Sequence, residues 1–255
     1  MPLRKVPLEG ALTRARREVK LLLTREEADL LTPRLLACLP GPPPSATGVV
    51  SVYLDRPDRA LSNRVLSHPR DCLKLRTKEY APDLSGDAEA RVVLEAKRER
   101  RGITSKRRVW LPRTRLASGE GGGRRGLAGR LFRGELQPVL AVSYDRWVYQ
   151  PHAHWRVTLD REVAFHPVCR ERALGREKLL AQRLEVPFAR SDLAVMEVKF
   201  NEVARLPRWL MQLAETRRCA FSKFTEGLRQ QAAHLRSSPP VRSGAEEGAD
   251  RVHRL

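Results

Sequence analysis

The chain has 255 residues, of which 41% are hydrophobic and 5% aromatic, so it can build one sizeable folded core but offers few rings for stacking on bases. Its 49 lysines and arginines against 30 acidic residues give a formal net charge of +19, which favours polyanionic partners such as nucleic acid, anionic membranes or phosphate-chain metabolites. The four cysteines form no C-x-x-C pair, which argues against a zinc or redox motif. No apolar stretch approaches the roughly 18 residues of a membrane span, and we expect a cytoplasmic protein.

Composition divides the chain into three parts. Residues 1–15 show no sustained periodicity, and residues 237–255 are rich in Ser, Pro, Gly and charge. We therefore expect an N-terminal extension, a folded domain over residues 16–236, and a disordered tail. Inside the domain, the glycine-rich stretch Ala117–Gly126 indicates a surface loop, because it lacks the G-K-[ST] ending of a phosphate-binding loop.

The predicted elements begin with a strand, Arg17–Leu23, and a helix, Arg25–Leu39, which Pro40 and Gly41 terminate. The apolar face of this helix consists of Leu30, Leu31, Leu35 and Leu36. Alternation of apolar and charged residues then predicts seven further strands, at Val49–Asp55, Leu73–Tyr80, Arg91–Glu99, Ser105–Leu111, Val139–Tyr149, Trp155–Phe165 and Leu193–Phe200. The chain closes with helices at Arg205–Thr216 and Ser222–Leu235, so the fold class is α+β.

The charged residues of each predicted strand share one side, since residues two apart in a strand point the same way. Leu73 and Leu75, for example, alternate with Lys74 and Arg76. One such face is typical of the solvated side of an ordinary sheet. The same pattern in strand after strand, with cations outnumbering carboxylates, instead indicates a shared interior if the sheet closes. We expect Arg76 and Arg156 to lack carboxylate partners there, so that a bound anion would relieve their repulsion.

Eight segments, taken together and in order, resemble the vacuolar transporter chaperone (VTC) polyphosphate polymerase domain, a member of the CYTH-like triphosphate tunnel metalloenzymes. They are Arg16–Lys20, Lys74–Arg76, Leu94–Lys97, Ser105–Arg108, Tyr144–Arg146, Arg156–Asp160, Met196–Phe200 and Phe221–Phe224. The resemblance runs from about Arg16 to Leu228. It implies a closed eight-stranded antiparallel β tunnel, with helices packed outside or plugging one end.

The resemblance also implies roles for individual residues. The phosphate-binding, catalytic positions would be Lys20, Lys74, Arg76, Lys97, Lys106, Arg108, Arg146, Arg156, Lys199 and Lys223. Among these, the ATP phosphates would lie on Lys74, Arg76, Arg146 and Arg156. A Mn²⁺ or Mg²⁺ ion would be held by Glu197, while Glu18 and Glu95 would assist the metal or orient neighbouring cations.

The implied function is a polyphosphate polymerase-type transfer of the γ-phosphate of ATP to a polyphosphate chain. Hydrolytic tunnel enzymes open with a Glu-x-Glu-x-Lys stripe, whereas Arg16 takes the first position here, as in VTC-type members, and fewer carboxylates disfavour two-metal hydrolysis. The alternatives are a triphosphate or nucleoside-triphosphate hydrolase and a non-enzymatic polyanion-binding protein. Expected partners are ATP, polyphosphate, orthophosphate and pyrophosphate, but not nucleic acid or a membrane.

Overall fold

A computed structural model describes residues 17–81, 91–101, 103–118, 129–130 and 133–237 of the chain. Residues 1–16, the glycine-rich stretch from residue 119, and residues 238–255 lie outside the described residues, and so does Arg16. The expected domain limits and the surface loop therefore stay predictions.

One antiparallel sheet holds all nine strands of the described residues. The strands are β1 Arg17–Leu23, β2 Thr47–Asp55, β3 Cys72–Ala81, β4 Arg91–Arg100, β5 Ile103–Pro112, β6 Gln137–His152, β7 Trp155–His166, β8 Ala189–Arg190 and β9 Ala194–Phe200. Their order is β1-β9-β7-β6-β2-β3-β4-β5, with the short β8 paired to β7. All eight predicted strands are present, with ends within three residues of those expected.

Six α-helices flank the sheet in the described residues: α1 Arg25–Leu36, α2 Ala60–Ser67, α3 Arg113–Ser118, α4 Arg170–Leu174, α5 Arg208–Thr216 and α6 Lys223–Ser237. Helix α1 begins at a capping box, in which Glu27 N donates to Thr24 Oγ1 at 3.2 Å and Thr24 N donates to Glu27 Oε2 at 2.8 Å. It ends three residues earlier than expected, because Cys38 N and Leu39 N bond the carbonyls three residues back.

The sheet curls strongly enough for its distant strands to face each other. Lys20 of β1 and Lys74 of β3 are five strands apart in the order, yet Lys20 Nζ donates to Phe221 O at 3.1 Å and Lys74 Nζ donates to the adjacent Ser222 Oγ at 3.3 Å. The α+β class and the curled eight-stranded antiparallel wall are confirmed. Among the described residues, however, no backbone ladder joins the end strands β1 and β5, so the sheet is curled but its backbone does not close into a barrel.

Apolar clusters cover the outside of the curled sheet on two sides. On one side, Leu35 of α1 and Leu210 of α5 pack with Leu159 and Met196 from the strands. On the other side, the outer residues of β2, β3 and β4 pack with Leu116 of α3 and Ala173 of α4. These clusters hold the apolar half of each alternating strand outward, which leaves the charged half facing inward.

Helix α6 enters the interior at one end. Phe224 stacks on Tyr53 of β2 with ring centroids 4.3 Å apart. One turn later, a Cβ added at Gly227 would lie 2.4 Å from Leu140 Cδ2 and 2.8 Å from Phe165 Cδ1, so any larger residue would require these side chains to shift. The expectation of a helix plugging one end is therefore met by α6. No helix in the described part of the chain is long and apolar enough to cross a bilayer.

Candidate phosphate-binding interior

Glu95 of β4 contacts three cations from the two neighbouring strands. Its side chain is fully buried, and Arg76 Nε of β3 donates to Oε1 at 2.7 Å. From β5, Arg108 Nε donates to Oε2 at 2.8 Å and Lys106 Nζ lies 3.0 Å from the same oxygen. The sheet register places Arg76 and Arg108 directly opposite Glu95 on either side. Burial raises the pKa of the Glu95 carboxyl, but the surrounding cations outweigh burial and hold that pKa well below its usual range.

Lys106 within this cluster and Lys78 beside it have lowered pKa values. Burial lowers the pKa of Lys106 to about 8; Glu95 opposes this shift, while Arg108 and Arg76 add to it. Lys78 of β3 is 4% exposed, and burial followed by the charge of Arg76 lowers its pKa well below the ordinary value. An anion placed here would raise both pKa values, because it stabilises the ammonium forms.

Asp160 of β7 anchors a second group of cations. Arg146 of β6 donates two hydrogen bonds to Asp160, from Nε to Oδ1 at 2.6 Å and from Nη2 to Oδ2 at 2.7 Å. Lys223 Nζ, at the start of α6, donates to Oδ2 at 2.6 Å and lies 4.6 Å from the ring centroid of Tyr144. Burial raises the pKa of Asp160, but Lys223 and Arg146 outweigh it and bring the pKa to about 2.

Two carboxylates and two lysines face each other where β1 meets β9. The register sets Lys20 opposite Glu197 and Glu18 opposite Lys199. Lys199 Nζ lies 2.5 Å from Glu197 Oε1 and 3.8 Å from Glu18 Oε2, while Lys20 Nζ lies 3.6 Å from Glu18 Oε1. Burial raises the pKa of Glu197, but Lys199 and Lys20 hold it well below its usual range. Glu18 and Glu197 are therefore joined through one ammonium group.

A further carboxylate, Glu99 of β4, joins two more of the predicted residues. Its Oε1 lies 3.0 Å from Lys97 Nζ and 3.5 Å from Lys74 Nζ. Burial lowers the pKa of Lys97, but Glu99 and then Glu18 of β1 outweigh burial and raise it. Because Glu18 lies at the far edge of the sheet order, this interaction spans the interior.

The N-terminus of α6 opens onto the same interior. Glu226 N donates to Ser222 O at 2.9 Å at the start of the helix, and the preceding Phe221 and Ser222 contact Lys20 and Lys74. A helix N-terminus carries partial positive charge. The 15-residue helix therefore adds to the cationic character of the space it plugs.

The structure brings nine of the ten predicted phosphate-binding residues into these groups, and Arg156 of β7 lies opposite Lys199 in the register. The expectation that Arg76 lacks a carboxylate partner is wrong, because Glu95 binds it, and Arg156 also has an interaction partner. Sequence reasoning assigned no role to Asp160, Glu99, Lys78 or Tyr144, although each shares the inward alternation of its strand.

The predicted metal ligands divide into two places. Glu18 and Glu197 share Lys199, and two carboxylates suit a Mg²⁺ or Mn²⁺ ion whose remaining ligands are water and substrate phosphate. Glu95 is engaged by three cations, which fits the other expected role, that of orienting them. In the described part of the chain, no group of three or more His, Cys, Asp or Glu could hold a metal by itself.

Comparison with solved structures finds proteins of similar architecture. An adenylyl cyclase-like protein of Hippeastrum with a dominant triphosphatase activity has a TM-score of 0.47 at 16% identity, covering 84% of this chain and 96% of that one. An adenylate cyclase-like protein of Vibrio parahaemolyticus has a TM-score of 0.46 at 14% identity, covering 85% and 98%. The Mimivirus capping enzyme triphosphatase has a TM-score of 0.41 at 10% identity, covering 78% and 85%. At these scores the likenesses carry no weight for this chain's activity.

No curated protein matches the sequence. The model of the VTC domain family matches residues 128–231, which include β6, β7, β9 and the plugging part of α6. Within this range lie five of the predicted residues, contributed by β6, β7, β9 and α6: Arg146, Arg156, Glu197, Lys199 and Lys223. Over these residues the chain is similar to the VTC domain family.

Proposed function

We propose that the chain transfers the γ-phosphate of ATP to the end of a polyphosphate chain held inside the curled sheet. The observation that carries this proposal is the charge of the interior, in which cations outnumber carboxylates by about two to one. Its cations are Lys20, Lys74, Arg76, Lys78, Lys97, Lys106, Arg108, Arg146, Arg156, Lys199 and Lys223. Its carboxylates are Glu18, Glu95, Glu99, Asp160 and Glu197. Such an excess of partly buried positive charge suits a linear polyanion.

The reaction needs no nucleophile from the protein. A terminal oxygen of the polyphosphate chain attacks the γ-phosphorus of ATP, the bond from that phosphorus to the β–γ bridging oxygen breaks, and ADP leaves with the bridging oxygen. The arginines would hold phosphate oxygens in pairs and the lysines would bind them as point charges. Catalysis would then consist of positioning and electrostatic stabilisation of the transferring phosphoryl group.

The inward carboxylates hold these cations in position to bind phosphate. Arg76, Lys106 and Arg108 all point at Glu95, and Arg146 and Lys223 both point at Asp160. Each anchor thus holds several cations in fixed directions while neutralising only one charge. The surplus charge of each group is available to a phosphate chain.

A divalent ion would be held by Glu197 and Glu18. When bound, it would neutralise charge on the substrate phosphates as a Lewis acid. The protein's own part is to present both carboxylates to the ion, and Lys199 and Lys20 keep Glu197 ionised by holding its pKa low.

Product analysis tests this proposal against its two alternatives. The protein is incubated with ATP and Mn²⁺, and the products are sized by electrophoresis. We expect polyphosphate chains that lengthen with time, together with ADP. Orthophosphate and ADP without chains would indicate the hydrolase, and tight polyphosphate binding without metal-dependent turnover would indicate the binding protein.

A further inference from the structure

Trp110 of β5 is an exposed indole on the inward side of the sheet. It lies two residues beyond Arg108, so the two side chains point the same way about 7 Å apart along the strand. The register pairs it with Val93, two residues from Glu95 on the inward side of β4. Even so, 48% of Trp110 remains exposed. A large ring beside the cationic interior is thus left open to a ligand.

Tyr80 of β3 packs against this indole and lies between it and the interior cations. The two rings stack with centroids 6.2 Å apart and planes 28° from parallel. Burial and then Tyr144 of β6 raise the pKa of Tyr80, while the charges of Arg146 and Arg108 oppose that rise. Lys78 Nζ lies 5.9 Å from the Tyr80 ring centroid. The aromatic pair therefore continues the row of cations rather than facing outward.

The residues around Trp110 favour one class of ligand. One exposed aromatic face next to a line of arginines and lysines suits a molecule that carries a flat ring at one end and several negative charges at the other. A nucleoside triphosphate has both parts, whereas polyphosphate and tripolyphosphate have only the charges. Stacking on an aromatic ring is tolerant of the base, since every base has a π-face.

We propose that Trp110, stacked on Tyr80, binds the base of the nucleoside triphosphate. This inference rests on the proposed function, which requires ATP as the phosphate donor. The donor phosphates would run inward from Arg108, so the nucleotide enters along the β4–β5 corner of the sheet. The polyphosphate chain would occupy the part of the interior nearer Lys20, at the start of α6.

The test compares ATP with tripolyphosphate, which differ by the nucleoside. Affinities are measured by isothermal titration calorimetry without divalent metal, so that no phosphate is transferred. For Trp110→Ala we expect ATP affinity to fall by roughly five- to a hundredfold, the range for loss of one base–aromatic stack, with tripolyphosphate affinity unchanged. Trp110→Phe should retain part of the ATP affinity. Val109→Ala, at a neighbouring residue that is 54% exposed on the opposite side of β5, is the matched control and should change neither affinity.

Two results would overturn the base-binding site. One is an equal fall in both affinities, which would make Trp110 a structural residue; the other is no change in ATP affinity for Trp110→Ala. As a second measurement, ATP should quench a fluorescence component that is missing from Trp110→Phe, and tripolyphosphate should not. Chain elongation by the wild type reports separately on the proposed function: ATP-selective binding at Trp110 without elongation would leave this site standing and refute the polymerase.

Discussion

At the scale of single residues, the interior depends on a few carboxylates that each hold several cations. Glu95→Gln removes the charge that joins Arg76, Lys106 and Arg108 and keeps the side-chain shape. We expect a loss of roughly 3–5 kcal/mol in the free energy of unfolding, the range seen when one partner of a buried ion pair is removed. The measurement is urea denaturation at neutral pH.

Glu177→Gln is the control for this substitution. Glu177 pairs with Arg183 outside the interior, and its side chain is 82% exposed, so the change in unfolding free energy should stay below about 1 kcal/mol. If Glu95→Gln were equally harmless, Glu95 would not be the anchor of its three cations.

Lys106 should make nucleotide binding depend on pH. Its free-state pKa is about 8, set by burial and by Glu95, Arg108 and Arg76, so it loses its charge above that pH. A bound phosphate favours the charged form, and ATP affinity should therefore fall by up to about tenfold per pH unit above pH 8. Lys106→Arg keeps the charge and should flatten this fall when affinity is measured by calorimetry from pH 7 to pH 10. An equal fall in both proteins would assign the titration to another group.

Deprotonation of Lys106 at high pH should raise the stability of the ligand-free protein, although it lowers the affinity for ATP. Because its pKa is lower in the folded protein than in the unfolded chain, the unfolded chain binds more protons between pH 8 and about 10.5, and stability without ligand should rise over that window. The charged form of Lys106 thus favours phosphate binding but lowers the stability of the ligand-free protein.

Glu197 should be required for metal-dependent turnover but not for folding. We expect Glu197→Gln to lose most of its activity at ordinary Mn²⁺ concentration, because a neutral amide is a poorer ligand for a hard divalent cation. Initial rates across a Mn²⁺ titration, with circular dichroism as the check on folding, measure this. Wild-type rates in the variant would remove Glu197 from the metal site.

At the scale of elements, alternation predicted the strands well because the inward face is charged as regularly as the outward face is apolar. Helix α2 was missed, since its start depends on a distant cap: the buried Asp55 accepts from Leu61 N at 2.9 Å and from Ser62 N at 2.7 Å. Leu30 was predicted on the packed face of α1, but it is 75% exposed, and Ala28 is buried instead.

The same limit applies to the candidate site. Alternation identifies which residues point inward, and it found the arginines and lysines. It does not reveal which strands are neighbours or their register, so the pairing of Arg76 and Arg108 with the same Glu95 could not be predicted. The expectation of unpaired cations failed for this reason.

Helix α6 should be sensitive to a single methyl group where it enters the sheet. Gly227→Ala places a Cβ against Leu140 and Phe165, both fully buried, and we expect a loss of roughly 1–3 kcal/mol in unfolding free energy from overpacking. Tripolyphosphate affinity should fall too, because Lys223 lies one turn away. Gly41→Ala is the control, as its added Cβ meets nothing within 4 Å. Equal stability of the two variants in urea denaturation would contradict this placement of α6.

At the scale of the whole molecule, the net charge of +19 is partly gathered into one interior by a curled sheet. The outward apolar clusters and α6 stabilise the curled sheet. The inward carboxylates fix the orientation of the cations in the interior. The central claim is therefore that the inward cations, and not the general surface charge, bind the phosphate chain.

Arg107 and Arg108 offer the most direct test of this claim, since they are adjacent on β5 and point to opposite sides. Tripolyphosphate affinity is measured by calorimetry at fixed salt for the wild type, Arg108→Ala and Arg107→Ala, because salt screens exposed charges. We predict a roughly ten- to hundredfold loss for Arg108→Ala, as expected for one charged hydrogen bond, and less than a twofold change for Arg107→Ala. Equal losses in the two variants would show that tripolyphosphate binds to the general surface charge, and would contradict the phosphate-binding interior.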